Sequence, residues 1–281
     1  MRRVTYASRD GLELVGDAWG DPASPPVIFL PGGGQTRHAW GGAARRLGER
    51  GWYAVSMDLR GHGESGWAHD GNYLLESYIS DLCTVAAGFD RLPAVVGASL
   101  GGITALLAAG GVSRLPLAAL VLVDIAPRME VRGVERIIDF MQAKPGGFEN
   151  LEEVADAVAC YLPHRERPKD LRGLEKNLRR GSDGRYRWHW DPKFMQQGRG
   201  PGLSRELLLK AAASLNLPTL LVRGRMSDVL SSEGATEFLE AVPGARFADV
   251  SGAGHMVAGD RNDAFTEAVV EFLDEAFAST A

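Results

Sequence analysis

Ser99 lies at the centre of a stretch whose residue types suit nucleophilic chemistry. An apolar run ends at Gly97, Ser99 and Gly101 follow at alternate positions, and a helix-prone run covers residues 103–109. The pattern G-x-S-x-G between a strand and a helix predicts a sharp turn that holds the serine hydroxyl clear of the backbone. The turn also places the Leu100 N–H at the positive end of a helix, where it can stabilise an oxyanion.

The partners that such a serine needs also follow predicted strands. Acyl transfer by a serine requires a base that accepts its proton and an acid that orients the base. His255 follows the last predicted strand, and Asp228 follows the strand before it. Because loops after parallel strands share one edge of the sheet, we expect Ser99, Asp228 and His255 to converge there. Asp124 also follows a predicted strand and is the alternative acid.

The elements that must position these residues alternate along the chain. A hairpin around Arg9-Asp10-Gly11 is followed by short apolar strands at residues 27–30, 53–57, 94–97, 118–123, 219–223 and 245–250, with helical segments between most of them. This rhythm predicts an α/β fold: a mostly parallel, eight-stranded sheet with helices on both faces. The core domain should comprise residues 1–127 and 216–281.

The rhythm breaks over residues 128–215, which show no convincing strand. Apolar residues recur there at the spacing of amphipathic helices. We therefore predict a helical cap inserted between strands 6 and 7, forming a lid over the carboxyl edge of the sheet, where open α/β sheets bind ligands. The expected apolar pocket draws on the lid and on neighbouring loops: Trp40, Phe140, Trp188, Trp190, Phe194 and Met256.

Composition excludes several classes of protein. A net charge of −5 does not indicate the basic surface that nucleic-acid binding requires, and two cysteines do not form a disulfide framework. The N-terminus has no apolar signal core, and no run approaches a membrane span, so we expect a cytoplasmic protein. No spacing of His, Cys, Asp and Glu matches a metal site, and no nucleotide-binding motif follows a strand, so no metal or other cofactor is expected.

Two other histidines are interpreted as structural. His62 lies in the loop of residues 58–65 and is interpreted as a hydrogen-bond partner within that loop. His189 lies between two tryptophans and is interpreted as lid packing.

Taken together, these segments resemble the α/β-hydrolase fold family. The resemblance covers residues 3–126 and 216–278, and the order serine, aspartate, histidine along the chain is the one found in that family. The motifs that carry it are Leu30-Pro31-Gly32-Gly33-Gly34, Asp58-Leu59-Arg60-Gly61-His62-Gly63-Glu64-Ser65, Gly97-Ala98-Ser99-Leu100-Gly101-Gly102, Ser227-Asp228 and Gly254-His255.

The resemblance implies a catalytic triad of Ser99, Asp228 and His255, although some members take the acid from the position of Asp124. It assigns one oxyanion donor to the Leu100 N–H and the other to the N–H of Gly33 or Gly34. Pro31 stands where the family usually has histidine, which is generally not a triad member. Haloalkane dehalogenases and epoxide hydrolases carry aspartate in place of Ser99, so this chain resembles the acyl-transferring members.

The function expected from this resemblance is hydrolysis of a small carboxylic ester or lactone, by a monomer or homodimer. Three alternatives stay open. They are a C–C bond hydrolase of vinylogous diketones, a cofactor-free haloperoxidase or dioxygenase on the same fold, and a non-catalytic ligand receptor.

Overall fold

The structure is a computed structural model that describes residues 1–167, 169–196, 203–257 and 262–278. Parts of the predicted lid (168 and 197–202) and of the predicted core domain (258–261 and 279–281) lie outside the described residues. No helix in the described ranges is both long enough and apolar enough to cross a membrane.

The chain forms the predicted eight-stranded, mostly parallel sheet. Its strands, in chain order, are β1 (Arg2–Ala7), β2 (Glu13–Trp19), β3 (Pro26–Leu30), β4 (Tyr53–Met57), β5 (Ala94–Ala98), β6 (Ala119–Val123), β9 (Thr219–Gly224) and β10 (Arg246–Val250). Their order across the sheet is β1-β2-β4-β3-β5-β6-β9-β10. The pairs β1–β2 and β2–β4 are antiparallel and all other pairs are parallel.

Helices cover both faces of this sheet. The helices are α1 (Gly41–Glu49), α2 (Leu75–Ala86), α3 (Ser99–Gly110), α4 (Val131–Gln142), α5 (Leu151–Tyr161), α6 (Pro192–Gln196), α7 (Arg205–Ala213), α8 (Ser232–Ala241) and α9 (Asn262–Ala278). One core cluster joins α2, α3, α7 and α8 to one face, and a second joins α1 and α9 to the other. Burial on both faces explains why the central strands are apolar throughout.

The segment between β6 and β9 departs from the prediction in two respects. It contains a two-stranded hairpin, β7 (Leu178–Arg180) with β8 (Tyr186–Trp188), in addition to its helices. These strands have three residues each and are rich in arginine, so no apolar alternation marks them. Helix α7, which the sequence pattern places in the lid, instead packs against α3: Ala211 lies so close to Gly110 that no side chain fits there.

Candidate active site

The turn between β5 and α3 presents Ser99 as the sequence predicts. Ser99 begins α3 with a φ of 45°, in the left-handed region that non-glycine residues rarely occupy. The flanking glycines make this turn possible: a Cβ on Gly97 would lie 2.6 Å from the Gly101 carbonyl oxygen, and one on Gly101 would lie 2.5 Å from that of Leu30. Ser99 is half-buried and lines a cavity that His255 also lines.

Asp124, and not Asp228, is the carboxylate that contacts His255. Asp124 directly follows β6, has a φ of 52° and is fully buried. Its Oδ2 lies 2.7 Å from Nδ1 of His255 and accepts a hydrogen bond from the Ser227 hydroxyl at 2.5 Å. Its Oδ1 accepts the Gly224 N–H at 2.9 Å. Three donors thus satisfy the hydrogen-bonding capacity of this buried carboxylate.

The expectation that Asp228 lies against His255 is wrong. The carboxylate of Asp228 lies 3.0 Å from the Arg136 guanidinium of α4, and its side chain is 39% exposed. The loop after β9 turns the preceding side chain, Ser227, inward: its Oγ bonds Asp124 and also accepts the N–H groups of Val229 and Leu230. Asp228 therefore faces outward.

The Asp124 contact also fixes the tautomer that suits His255 for proton transfer. When Nδ1–H donates to the carboxylate, the other ring nitrogen, Nε2, carries the lone pair. His255 is only 12% exposed and lines the same cavity as Ser99. The site thus combines a hydroxyl, an imidazole whose Nε2 carries the lone pair and a buried carboxylate that orients the ring.

The glycine-rich loop after β3 lies beside the serine. A Cβ on Gly32 would come within 3.3 Å of the Ser99 Cβ, and one on Gly33 within 3.7 Å of the Leu100 side chain. The Gly32 N–H donates to the Gln35 side chain at 3.0 Å, and the Gly34 N–H donates to His62 Nε2 at 3.0 Å. In the described residues, the Gly33 N–H makes no such bond.

The cavity has a volume of about 500 Å³ and is walled by apolar side chains from the sheet edge and from the segment after β6. Five of the six predicted pocket residues line it: Trp40, Phe140, Trp188, Trp190 and Met256. The indoles of Trp188 and Trp190 stack with centroids 5.3 Å apart. Trp40 is 1% exposed and packs mainly on Phe29 and Phe265.

Phe194 does not line the cavity, contrary to the sequence expectation. Its ring makes an edge contact with His62, at a centroid distance of 4.7 Å, and approaches Gly33. The backbone N–H of Asp191 donates to the Gly61 carbonyl and so anchors the start of α6 on the loop of residues 58–65. Phe194, in α6, therefore packs between that loop and the glycine-rich loop.

His62 and His189 have contacts that the sequence interpretation did not include. His62 bonds its own loop, at the Arg60 carbonyl, but also reaches Gly34. His189 is buried and contacts Gly34 and Gly63. Neither motif nor periodicity signals such pairs between distant loops. Among the described residues, no cluster of three or more His, Cys, Asp or Glu side chains is placed to hold a metal ion.

The chain is similar to a known family of hydrolases in both sequence and structure. The model of the alpha/beta hydrolase family matches residues 27–268. The chain is 33% identical over 266 residues to the esterase Rv0045c of Mycobacterium tuberculosis, covering 91% of this chain and 85% of that protein. It is 28% identical over 255 residues to a 3-hydroxybutyrate-oligomer hydrolase of Cupriavidus necator, covering 84% and 85%. A solved alpha/beta hydrolase from Novosphingobium aromaticivorans superimposes with a TM-score of 0.82 at 29% identity, covering 97% of this chain and 98% of that one.

Proposed function

Since the chain belongs to the alpha/beta hydrolase family and is a hydrolase, we propose that it cleaves a carboxylic ester or lactone through a Ser99-His255-Asp124 triad. The observation that carries this proposal is the 2.7 Å contact between Asp124 and His255, beside a cavity that Ser99 also lines. The relatives named as an esterase and as an oligomer hydrolase support an ester substrate.

The proposed reaction proceeds through an acyl-enzyme. The Ser99 Oγ attacks the carbonyl carbon of the substrate while His255 Nε2 takes the hydroxyl proton, which forms a tetrahedral intermediate. The imidazolium, stabilised by Asp124, then passes this proton to the departing alkoxide oxygen as the C–O bond breaks. Water attacks the acyl-enzyme while His255 takes its proton. His255 then returns that proton to the Ser99 Oγ as the bond between Oγ and the acyl carbon breaks and the carboxylic acid leaves.

Two backbone amides are proposed to stabilise the oxyanion. The Leu100 N–H lies in the first turn of α3, where the helix dipole favours negative charge. Of the two glycines considered at the second position, Gly34 already donates its N–H to His62, which favours Gly33. The two residues are neighbours, since a Cβ on Gly33 would lie 3.7 Å from the Leu100 side chain.

The segment after β6 is proposed to act as a lid that sets the substrate's size. Phe140, Trp188 and Trp190 come from this segment and wall the cavity. Most of the cavity lining is apolar, which suits a substrate with an apolar acyl or alcohol group.

Replacing the nucleophile tests the proposal. We expect Ser99→Ala to lower kcat for p-nitrophenyl butyrate by about 10⁶-fold, since loss of a triad serine removes the acyl-enzyme route. A fluorophosphonate should label wild type at Ser99, identified by peptide mass spectrometry, and should not label the variant. Ser232→Ala, which changes an exposed serine at the start of α8, is the matched control and should retain full activity. Retention of more than about a tenth of wild-type activity by Ser99→Ala would refute the mechanism.

A further inference from the structure

His62 fixes one side of the Gly34 peptide. Its ring is fully buried between the glycine-rich loop and its own loop. Nδ1 lies 2.9 Å from the Arg60 carbonyl oxygen, and Nε2 lies 3.0 Å from the Gly34 nitrogen. Because a carbonyl only accepts and an amide N–H only donates, Nδ1 carries the proton and Nε2 is the acceptor.

His189 fixes the other side of the same residue, and it comes from the segment between β6 and β9. The Gly63 N–H donates to its Nδ1 at 2.7 Å, so the proton lies on Nε2. This Nε2–H faces the Gly34 carbonyl oxygen at 3.2 Å. The two imidazoles thus hold the N–H and the C=O of one glycine with opposite tautomers.

This pattern requires both rings to be neutral. A second proton on His62 would face the Gly34 N–H, and one on His189 would face the Gly63 N–H. Burial lowers the pKa of His62 to about 4 and that of His189 to about 3, so both rings are uncharged at neutral pH.

A further contact joins the same two regions. The hydroxyl of Thr36, two residues after Gly34, donates to the Asn177 side chain at 3.1 Å. The carbonyl of Asn177 in turn accepts the backbone N–H of His189 at 3.1 Å. The segment that contains His189 is therefore joined to the glycine-rich loop by hydrogen bonds through Asn177.

We propose that His189, together with His62, is a positioning residue that holds Gly34 so that the Gly33 N–H faces the oxyanion. This role rests on the proposed function. It assigns part of the support of the oxyanion site to the segment between β6 and β9, which also lines the pocket. Gly34 has a φ of 78°, a conformation that glycine adopts freely, so outside bonds are needed to fix it. His189 holds the carbonyl of the Gly34–Gln35 peptide, and the N–H of that same peptide donates to the Gly32 carbonyl at 3.1 Å. The Gly32 carbonyl and the Gly33 N–H belong to one peptide, so holding Gly34 fixes the direction of the Gly33 N–H.

Two substitutions of His189 separate positioning from packing. The amide of glutamine reaches the place of Nε2, so His189→Gln keeps a donor to the Gly34 carbonyl. The shorter asparagine reaches the place of Nδ1, so His189→Asn keeps the acceptor for Gly63 but not the bond to Gly34. Since an oxyanion donor acts in the transition state, its misplacement lowers kcat and leaves KM nearly unchanged.

We expect His189→Asn to lower kcat by about 10- to 100-fold, somewhat less than outright loss of an oxyanion donor. His189→Gln should stay within about threefold of wild type. The loss should be equal for short and long acyl chains, because the oxyanion is common to all of them, whereas a distorted pocket would change their ranking.

Tyr73→Phe is the matched control. It removes a hydroxyl that donates to Asp191 at 2.6 Å and accepts the Ala68 N–H at 2.9 Å. The bond to Asp191 also joins the segment to the core but does not touch Gly34. We expect it to lower the Tm and to leave kcat near the wild-type value. If His189→Asn does not fold, His62→Gln and His62→Asn test the other side of Gly34 by the same logic, with glutamine retaining the acceptor.

Fluorophosphonate labelling of wild type distinguishes failure of the positioning role from failure of the proposed triad. If Ser99 is labelled but the glutamine and asparagine variants lose equal activity, or lose it through KM alone, the positioning role is refuted and the triad stands. If Ser99 is not labelled, both proposals fall.

Discussion

The loops after β6 and β9 end at the same edge of the sheet, and each offers a carboxylate, but they place it in opposite environments. Asp124 is fully buried and accepts three hydrogen bonds, one of them from His255. Asp228 is 39% exposed and contacts Arg136, which is itself 49% exposed. Both carboxylates follow a strand, so this position alone does not decide which of them contacts the histidine. The direction in which the backbone turns after the strand decides it.

The loop after β9 still contributes to the buried carboxylate. It supplies the Ser227 hydroxyl and the Gly224 N–H, both of which donate to Asp124. One loop thus provides the buried carboxylate that contacts His255, and the other provides two of its hydrogen-bond donors. Substitution of Asp124, Ser227 and Asp228 in turn tests whether the two loops differ in this way.

The largest effect is expected for Asp124→Asn. The amide cannot accept the His255 Nδ1–H with the charge that stabilises the imidazolium, and it favours the wrong tautomer, so kcat should fall by about 10⁴-fold. Ester hydrolysis by purified, folded protein is the measurement, with circular dichroism to show that the fold persists. A smaller loss than for Asp228→Asn would return the acid role to Asp228.

An intermediate effect is expected for Ser227→Ala. Asp124 keeps its bonds to Gly224 and His255 but loses the hydroxyl, and we expect kcat to fall by about tenfold, equivalent to about 1.4 kcal/mol of activation free energy. The Ser227 Oγ also accepts the N–H groups of Val229 and Leu230, so part of the loss reflects a looser loop. Ser227→Thr, which keeps the hydroxyl, should restore most of the activity, and failure to do so would argue against a role through Asp124.

The sheet and the serine turn could be predicted from the sequence alone. The sheet was predictable because its central strands are short apolar runs buried on both faces, bounded by glycine and proline. The serine turn was predictable because Gly97 and Gly101 have no room for side chains. In both cases the information is local, and the structure confirms the eight-stranded sheet.

What escaped prediction depends on contacts between distant segments. Ser227 and Asp228 are adjacent, and only the packed loop decides which of them faces inward. The choice between Gly33 and Gly34 depends on His62, 28 residues away from Gly34, and the place of Phe194 depends on the anchor between Asp191 and Gly61. The β7–β8 hairpin is too short and too polar to produce a periodic signal.

The smallest effect is expected for Asp228→Asn. Its ion pair with Arg136 joins the loop after β9 to α4, but both side chains are well exposed to solvent, and such pairs contribute about 0–1 kcal/mol to stability. We expect kcat to stay within about threefold of wild type and the free energy of unfolding to change by less than about 1 kcal/mol. Arg136→Gln should behave in the same way, and the double variant should lose no more than either single one, because the two changes remove one interaction. Urea unfolding and ester hydrolysis on the four proteins of this cycle give both quantities. A loss of activity in Asp228→Asn that Arg136→Gln does not reproduce would mean that Asp228 acts on the reaction by itself, and the contrast between the two loops would then no longer hold.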